Sequence, residues 1–534
     1  MKKFLAILIL LTILASNSVI MTVAQETEPP RCVPEDTADT VVDSNESDIA
    51  STGANPLSVP RIDIHTENGN GASLLKADGY VNAQIAITDT DSSVLSGDVL
   101  FKVRGNSTAI DSIQKKGFTF KFNKKAEVLG MGKGKKWALL ANCFDPTLLR
   151  NFVMFEWAKE MGLPYTSEQR FVELWLDDEY RGCYTVYELV HEGKDRVDID
   201  VESNGGKKDF LLEVEASRVE DDETYITVRG HRFIVSEPEE PNEDQIGYIT
   251  SVMADMIDTM KGGSEAEIRQ KIDLDSFAAY YLLNEYAKTA DFGFSSVFFF
   301  YKDGKLYAGP PWDYDLSLGN LNGDLNSASA KAASKSDGII QSDKNLYRYL
   351  CGMDWFQAQI RRVYYRHYDY IENISADGGL LDQLRDRYAD VFARNFGKWR
   401  VGRWWLNYQK VPFATYEENF DFFKTWCVQR NAWLSDYYDI SDDLVICGDA
   451  DSDGYVSIMD ATVIQRRLAE LPTPSFDEGA ADVDGDGLDI TDATKIQRYL
   501  AEFDNIYHIN ELLTVPDPIT PQPTLSPFEL SVVP

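Results

Sequence analysis

Residues 284–320, NEYAKTADFGFSSVFFFYKDGKLYAGPPWDYDLSLGN, contain the pattern around which the rest of the chain is interpreted. An apolar, aromatic run from Val297 to Tyr301 and a shorter run from Leu306 to Gly309 flank an Asp-Gly turn, which predicts an antiparallel β-hairpin. Asp291 precedes the first run, and Asp313 follows the second. Because antiparallel strands return the chain to its starting level, we expect these acidic ends to meet and to form a site for a base and a metal ion.

The acidic residues that leave the hairpin have aromatic neighbours. Residues 310–315, Pro-Pro-Trp-Asp-Tyr-Asp, place Trp312 and Tyr314 beside Asp313 and Asp315. Such neighbours indicate partial desolvation of the two carboxylates, and a desolvated carboxylate attracts a cation. The alternative is that both are solvated turn residues, which an isolated Asp usually is.

The N-terminal residues 1–24 have the layout of a secretory signal peptide, in which Lys2 and Lys3 precede an apolar run from Phe4 to Ala15. No later stretch has the roughly 18 to 20 uninterrupted apolar residues that a membrane-spanning helix needs. We therefore expect a secreted, extracellular protein without a membrane span. Residues 25–58 are rich in Glu, Asp, Pro, Ser and Thr, which predicts a disordered linker.

The charge balance of the chain is strongly acidic. Its 534 residues include 52 Lys and Arg against 87 Asp and Glu, a formal net charge of -35. Such a field repels phosphate backbones and argues against nucleic acid as a partner, whereas it attracts cations and basic protein segments. The alternative is that the charge serves only solubility outside the cell. The six cysteines lack the spacing of a zinc cluster, and we expect buried thiols.

The distribution of apolar residues predicts an α+β fold. Short alternating runs recur from Arg61 to Phe122, which predicts a β-rich front section, and helical periodicity dominates from Asp244 onward. The Ala-, Ser- and Lys-containing stretch from Ser327 to Ser336 is interpreted as a mobile surface loop.

The front section also contains a candidate phosphate-binding segment. Arg104 begins the sequence Arg-Gly-Asn-Ser-Thr, and Lys116 and Lys121 follow shortly after it. A turn of small residues with nearby basic groups can hold phosphate through backbone N–H groups and cationic side chains. The alternative is that Arg104 pairs with an acid and that the lysines are solvated.

Several motifs occur in a fixed order along the chain, and their order is more specific than any one of them. They are Arg104-Gly-Asn-Ser-Thr, Lys115-Lys-Gly-Phe-Thr-Phe-Lys-Phe, Trp137-Ala-Leu-Leu-Ala-Asn with Asp145 and Arg150-Asn151, Tyr180-Arg-Gly-Cys-Tyr with Glu188, and Gly309-Pro-Pro-Trp-Asp-Tyr-Asp. This series resembles the spore-coat CotH kinase family over roughly Pro60 to Ile440. The resemblance implies a bilobal, atypical protein-kinase-like fold that uses Mg2+ and ATP to phosphorylate Ser or Thr in proteins.

The resemblance also implies roles for individual residues. Asp291 would be the catalytic Asp that orients the substrate hydroxyl, and Asp313 would hold Mg2+ with support from Asp315. The tripeptide Asp291-Phe-Gly spells the magnesium motif of protein kinases, but it precedes the hairpin, so its order in the chain fits the catalytic position.

Further residues receive cofactor-binding roles from the same resemblance. Arg104, Lys116 and Lys121 are candidate phosphate contacts, and Glu188 is a candidate partner that orients one of the lysines. Ser296 stands five residues after Asp291, where kinase-like sites commonly have Asn. Because a hydroxyl is a poorer Mg2+ ligand than an amide oxygen, this difference bears on activity.

The chain repeats itself after Cys447, and each repeat combines an acidic loop with a helical segment. The first loop has oxygen donors at calcium-loop positions 1, 3, 5, 7, 9 and 12, and Gly454 falls where such a loop needs a sharp turn. The second loop is one residue shorter. The predicted Ca2+ ligands are Asp449, Asp451, Asp453, the Tyr455 carbonyl, Ser457 and Asp460 in loop 1, and Asp482, Asp484, Asp486, Asp489 and Asp492 in loop 2.

These duplicated loops, each followed by Ala-Thr-x-Ile-Gln-Arg-x-Leu-Ala, resemble the dockerin module over about Leu444 to Phe503. The resemblance implies that the module binds Ca2+ and docks onto the cohesin domain of a scaffoldin in a cellulosome.

The predicted organisation is a signal peptide (1–24), a linker (25–58), a kinase-like domain (59–443), an all-α dockerin domain (444–506) and a Pro-rich tail (507–534). The expected function is phosphorylation of an extracellular protein, with basic, Ser-rich segments favoured by the charge of the chain. Two alternatives stay open. One is a non-catalytic binding component of the cellulosome or cell surface, and the other is a carbohydrate-active enzyme, because dockerins usually carry such enzymes.

Overall fold

The computed structural model describes residues 31–32, 58–216, 223–324, 327–441, 443–503 and 505–514. The predicted signal peptide lies outside these residues, and so do most of the predicted linker and the tail from residue 515 onward. The chain divides into two compact units. One contains the residues up to Met353 together with Asp369–Leu434, and the other contains Asp354–Tyr368 together with the residues from Ser435 onward.

Seven strands of the first unit close into a barrel, which confirms the prediction of a β-rich front section. They are β2 (Arg61–Thr66), β3 (Val81–Thr88), β4 (Val94–Arg104), β5 (Gly117–Glu127), β6 (Lys133–Leu140), β7 (Gln169–Leu176) and β8 (Glu179–Glu188), which follow the short strand β1 (Arg31–Cys32). Their order around the barrel is β2-β3-β4-β5-β6-β8-β7, and a parallel pairing between β2 and β7 closes it.

The side chains that fill the barrel come from alternate positions of its strands. Phe118, Phe120 and Phe122 of β5 lie in the hydrophobic core together with Val103 of β4. Successive side chains of a strand point to opposite faces. Lys121, between Phe120 and Phe122, and Arg104, which follows Val103, therefore belong to the outer face of the barrel.

A second sheet has five strands. They are β9 (Phe210–Val214), β10 (Tyr225–Val228), β11 (His231–Glu237), β12 (Val297–Lys302) and β13 (Lys305–Ala308), in the order β10-β11-β9-β12-β13. The predicted hairpin is confirmed, since β12 and β13 pair antiparallel as far as Lys302 and Lys305. Asp303 and Gly304 form its turn with φ values of 48° and 91°, and an Asp-Gly pair tolerates positive φ at both positions.

Helices dominate the chain after the barrel, as the sequence predicts. In chain order they are α1 (Arg150–Glu160), α2 (Ser203–Gly206), α3 (Glu243–Gly262), α4 (Glu265–Lys271), α5 (Leu274–Ala287), α6 (Ala328–Ser334), α7 (Asp354–Arg366), α8 (Tyr368–Ser375), α9 (Leu380–Lys398), α10 (Tyr416–Tyr437), α11 (Ile458–Leu468), α12 (Glu478–Ala481) and α13 (Ile490–Leu500). Short 3-10 helices cover Gly71–Ser73, Lys76–Asp78, Ala290–Gly293 and Asn345–Tyr349. In the described part of the chain, none of the helices has the length and apolarity to cross a membrane.

The prediction of a loop from Ser327 to Ser336 is wrong, because α6 occupies most of this stretch. The Ser327 hydroxyl accepts a hydrogen bond from the backbone N–H of Ala330 at 3.3 Å and caps the helix. Alanine is the strongest helix former, so an Ala-rich stretch behind a Ser cap favours a short helix.

The second unit combines α7 with the two acidic repeats. Its hydrophobic core is built mainly from α11 and α13, with Ala461, Ile464, Ala493 and Ile496 at its centre. Two short strands, β15 (Leu444–Ile446) and β16 (Leu512–Thr514), pair antiparallel and bring the ends of the repeat region together. This pair, called the clasp below, includes residues of the predicted tail (507–534), so that part of the tail is folded.

The last short strand, β14 (Trp404–Trp405), pairs with β1 inside the predicted linker. Cysteines occur as free thiols in the described residues, which agrees with the expectation of thiols rather than a disulfide scaffold. Burial raises the pKa of the Cys183 and Cys427 thiols to about 12, so both stay protonated and unreactive near neutral pH.

Candidate functional site

The segment after the hairpin, residues 309–320, is fixed by buried polar side chains. Asn151 of α1 accepts a hydrogen bond from the backbone N–H of Tyr314 at 2.7 Å. The Arg150 guanidinium donates to the carbonyl oxygens of Ser317 and Leu318, at 3.2 and 3.4 Å. These contacts hold the backbone on which the acidic residues of this segment stand.

Arg150 is itself held by a buried ion pair. Its Nη1 lies 2.6 Å from Asp145 Oδ1, and the two side chains are 2% and 1% exposed. Asp145 also accepts hydrogen bonds from the N–H and the hydroxyl of Thr147, at 2.9 and 2.7 Å. A buried carboxylate with this many donors is fully satisfied, so Asp145 supports the site and does not offer a free ligand.

Asp313 and Asp315 lie side by side and share a hydrogen bond between their carboxyl groups. Burial raises the pKa of both groups, and the negative charges of Asp313 and Asp291 raise that of Asp315 further. Asp291 therefore lies within electrostatic range of Asp315. Desolvated carboxylates that repel one another provide a place where a divalent cation is favourable.

Glu213 of β9 and Glu215, which directly follows the strand, join this acidic group, and the sequence interpretation missed them. Burial, with the charges of Glu215 and Asp313 among its neighbours, raises the pKa of Glu213 to about 8, although the carboxyl accepts a hydrogen bond from the backbone of Ser296. Glu215 accepts a hydrogen bond from the Ser295 hydroxyl at 2.9 Å. Both glutamates alternate with apolar residues in the run Phe210-Leu-Leu-Glu-Val-Glu, and acids at alternate positions of an apolar strand are the signal that identifies them.

Arg104 supplies the positive charge opposite these acids. Its guanidinium lies 5.4 Å from the centroid of the Trp312 ring, and Asp313 and Glu213 partly offset the lowering of its pKa by burial. Its Nη1 is buried and has no hydrogen-bond partner among the described residues. An unsatisfied guanidinium donor beside a cluster of carboxylates suits an anionic ligand that carries a divalent cation, such as a Mg2+-bound phosphate.

In the second unit, the first acidic loop gathers its carboxylates around one point. The side-chain oxygens of Asp449, Asp451 and Asp453 lie within 4.8 Å of one another. Asp449 accepts hydrogen bonds from the backbone N–H groups of Asp453 and Gly454 at 3.1 and 2.9 Å, and Gly454 has a φ of 86°. Burial and the neighbouring carboxylates raise the pKa of Asp449 to about 7. This donor set fits a calcium ion, which would neutralise the repulsion.

The last residues of this loop form the N-terminal cap of helix α11. Asp460 is fully buried and accepts hydrogen bonds from the backbone N–H groups of Ser457 and Asp451, at 2.7 and 3.2 Å. The Ser457 hydroxyl caps α11 by accepting from Met459 N–H at 3.0 Å. In the same unit, Arg366 of α7 donates to the Gly454 carbonyl at 2.7 Å and lies 3.6 Å from the Tyr455 ring centroid.

The second loop has a smaller set of gathered carboxylates. Asp482, Asp484 and Asp492 have oxygens within 4.8 Å of one another, but Asp486 and Asp489 are not part of this group. Asp489 instead caps α13 and accepts from the N–H and the hydroxyl of Thr491, each at 2.6 Å. Asp489 thus caps its helix as Ser457 does in the first loop, and Asp486 shares a hydrogen bond with Asp484.

A comparison with protein families gives a match to the family described as CotH kinase protein, over residues 101–434. The chain belongs to this family. Residues 447–505 match the dockerin type I domain. A dockerin domain implies calcium binding and attachment to a cohesin. It also suggests association with the extracellular cellulosome. No curated protein matches the chain.

Two residues that resemblance to the CotH family suggested for cofactor binding have other partners in the structure. Lys116 is 5% exposed, and its ammonium donates to the Leu74 carbonyl at 2.9 Å. It lines a cavity of about 560 Å³ with Arg181 and Trp399 and does not face Asp313. Burial lowers its pKa, and Asp111 partly offsets this effect.

The expected pairing of Glu188 with a lysine is wrong, because Glu188 forms a buried ion pair with Arg196. Arg196 follows the end of β8 closely in the chain and folds back onto Glu188. The partner of Glu188 is therefore a local arginine and not a lysine of β5. Burial, partly offset by Arg196, raises the pKa of Glu188 to about 8.

The remaining two candidates of the CotH domain have different surroundings. Lys121 is paired in register with Lys136, and together with Lys136, which bonds to Glu239, it lowers the pKa of Glu239. Ser296 has a φ of 59° and takes part through its backbone N–H, which donates to Glu213.

Proposed function

We propose that residues 59–443 form a bilobal, kinase-like domain that uses Mg-ATP to phosphorylate Ser or Thr in an extracellular protein. The barrel would be the first lobe and the helical section the second. The observation that supports this proposal is the buried pair of Asp313 and Asp315, within electrostatic range of Asp291 and of Arg104 with its unsatisfied Nη1.

Each residue has a role that its surroundings support. Asp313 and Asp315 would hold Mg2+, since they are adjacent, desolvated and mutually repelling. Arg104 would contact a phosphate oxygen through Nη1, and Lys121 would add positive charge on the same outer face of the barrel. When bound, Mg-ATP supplies the phosphoryl group for transfer.

Asp291 would act on the acceptor protein. It would accept a hydrogen bond from the substrate hydroxyl, orient the oxygen for attack and take up its proton. Glu213 and Glu215 would complete the acidic wall, and the hydrogen bonds that Ser295 and Ser296 give them would fix its position.

The rest of the chain would deliver this domain. A signal peptide in residues 1–24 would direct secretion, the linker 25–58 would follow it, and the dockerin domain, proposed to cover 444–506, would attach the protein to a scaffoldin. The strongly acidic surface would favour basic, Ser-rich substrates.

One alternative has a specific observation in its favour. Ser296 replaces the Asn expected near the metal, and it contributes a backbone N–H instead of a side-chain oxygen. A non-catalytic family member that binds nucleotide or protein without transferring phosphate would have this feature.

Binding and transfer of phosphate can be tested separately. Mg-ATP at about 100 times its dissociation constant should add roughly 2.7 kcal/mol of apparent stability, measured as a shift in the thermal unfolding midpoint. Asp313→Asn should remove the Mg2+-dependent part of the shift. Asp291→Asn should keep the shift and abolish phosphate incorporation into a basic Ser-rich protein. Asp324→Asn, an exposed carboxylate on the same stretch of chain, is the matched control.

The outcomes separate the candidate functions. No shift at millimolar Mg-ATP contradicts the kinase-like site. A shift without transfer supports the non-catalytic alternative, and transfer gained by Ser296→Asn would identify the weakened metal position as its cause. Release of reducing sugar from plant polysaccharide would support the carbohydrate-active alternative.

A further inference from the structure

The two acidic loops of the dockerin domain differ in length at one place. Both loops begin with an Asp that accepts backbone hydrogen bonds within the loop, and both end with a buried Asp that accepts from the residue capping the next helix. Tyr455 and Val456 separate Gly454 from the cap residue Ser457, whereas Leu488 alone separates Gly487 from the cap residue Asp489. The missing residue falls between the glycine turn and the cap residue, next to the position from which a calcium loop supplies its backbone carbonyl ligand, so the spacing of the second loop departs from that of a calcium loop.

A lysine lies within the second set of carboxylates. The Lys495 ammonium forms an ion pair with Asp484 Oδ2 and lies 3.3 Å from Asp492 Oδ1. Its side chain is only 10% exposed, and its Nζ is 5.2 Å from the centroid of the Tyr507 ring.

The first repeat has no such cation at the matching position. Three residues after the last Asp of the loop, α11 has Val463 where α13 has Lys495. In the described part of the first loop, the ion pairs of the structure include none between a lysine and Asp449, Asp451, Asp453 or Asp460. Both loops therefore contain a cluster of carboxylates that repel one another, but among the described residues only the second loop has a lysine ammonium within its cluster.

We propose that Lys495 is the built-in cation of the second loop, so that this dockerin domain binds one calcium ion tightly, in the first loop, and folds its second repeat without calcium. An ammonium group offers three donors to the carboxylates that would otherwise coordinate the metal. Calcium could enter only by displacing this ammonium, and the shortened loop departs from the spacing that a calcium ion needs.

The proposal makes the two repeats unequal in their response to calcium. Removal of calcium leaves the first loop with unneutralised, partly buried carboxylates, whereas the second loop keeps its ion pairs. The helix α13 should therefore retain its loop contacts under conditions in which α11 loses them.

The experiment counts calcium ions bound to the full chain by equilibrium dialysis with radioactive calcium, in the presence of millimolar Mg2+ to occupy magnesium sites. The wild-type chain should bind one equivalent tightly. Asp449→Asn should remove that equivalent, and Asp482→Asn should leave it unchanged. Lys495→Val, which copies the first repeat, should create or strengthen a second equivalent that Asp482→Asn then removes.

Two further variants test whether the effect depends on the position of the positive charge. Arg498→Val removes a positive charge from the exposed face of the same helix and should leave the count unchanged. Val463→Lys introduces the ammonium into the first repeat and should weaken the first site by roughly tenfold or more, because ligand charge strongly tunes calcium affinity. Two tight equivalents in the wild-type chain would overturn the proposal. So would an unchanged second site in Lys495→Val together with an unchanged first site in Val463→Lys.

Discussion

Glu213 provides a stability test of the acidic site that does not depend on any ligand. Its pKa is raised from 4.5 to about 8, because the carboxyl is buried and faces Glu215 and Asp313. In the unfolded chain the group ionises around pH 4.5, so at pH 7 folding requires it to take up a proton. The raised pKa therefore lowers the free energy of unfolding by roughly 3 kcal/mol at pH 7 and by less than about 1 kcal/mol at pH 5.

The raised pKa of Glu213 determines how its effect on the free energy of unfolding changes with pH. Below pH 4.5 the group is protonated in both states, and it places no penalty on folding. The penalty grows as the pH rises from 4.5 to about 8 and is constant above that. Glu213→Gln has no ionisable group and keeps an oxygen that can accept from the Ser296 backbone. The variant should therefore be more stable than wild type by roughly 3 kcal/mol at pH 7, with little gain at pH 5.

Urea unfolding at pH 5 and pH 7, in calcium and without magnesium or nucleotide, measures this difference. The exposed Glu240→Gln is the control and should change stability at neither pH. A Glu213→Gln chain that is less stable than wild type at pH 7, or equally stabilised at both pH values, would refute the reasoning. If Glu213 also serves the metal site, the stabilised variant should bind Mg-ATP more weakly, a trade between stability and function.

Three further predictions concern other parts of the chain. Arg150→Met should destabilise the first unit by about 3–5 kcal/mol in urea unfolding, because it leaves Asp145 buried without its partner, and a loss near 1 kcal/mol would show that Asp145 finds other compensation. Asp449→Ala should reduce helix content, measured by circular dichroism with and without EDTA, together with capture by a cohesin, and unchanged helix content on chelation would contradict calcium-dependent folding of the first loop. Phosphate incorporation should favour a basic over an acidic Ser-rich peptide and should lose this preference at high salt, and equal rates at low salt would remove the chain's charge from the explanation.

The sequence was informative where the determining contacts are local. The turn at Asp303 and Gly304 specifies its own hairpin, and the alternating carboxylates with Gly454 specify the first calcium loop. In both cases the residues that form the feature are neighbours in the chain. The pairing of antiparallel strands then places Asp291 within electrostatic range of Asp315.

The sequence was less informative where a residue's partner is chosen by the fold. Lys116 and Lys121 are close in the chain, but the pleat and the start of β5 direct one to the Leu74 carbonyl and the other to the outer face of the barrel. Glu213 enters the site only because β9 pairs with β12, which follows it after a long stretch of chain. Residues with two plausible partners, such as Glu188, cannot be assigned until the competing contacts are seen.

The segment that leads into the clasp strand β16 contacts a buried thiol. Cys447 follows β15 directly, is 4% exposed and has its Sγ 3.4 Å from the Tyr507 carbonyl oxygen. Its backbone bonds to Glu511 and Asn510, and burial raises the pKa of its thiol to about 12. A protease that cut the chain after residue 506 would remove this cover, and the thiol could then ionise more readily in an oxidising medium. Loss of the residues after 506 would thus convert an inert cysteine into a point of covalent cross-linking between chains.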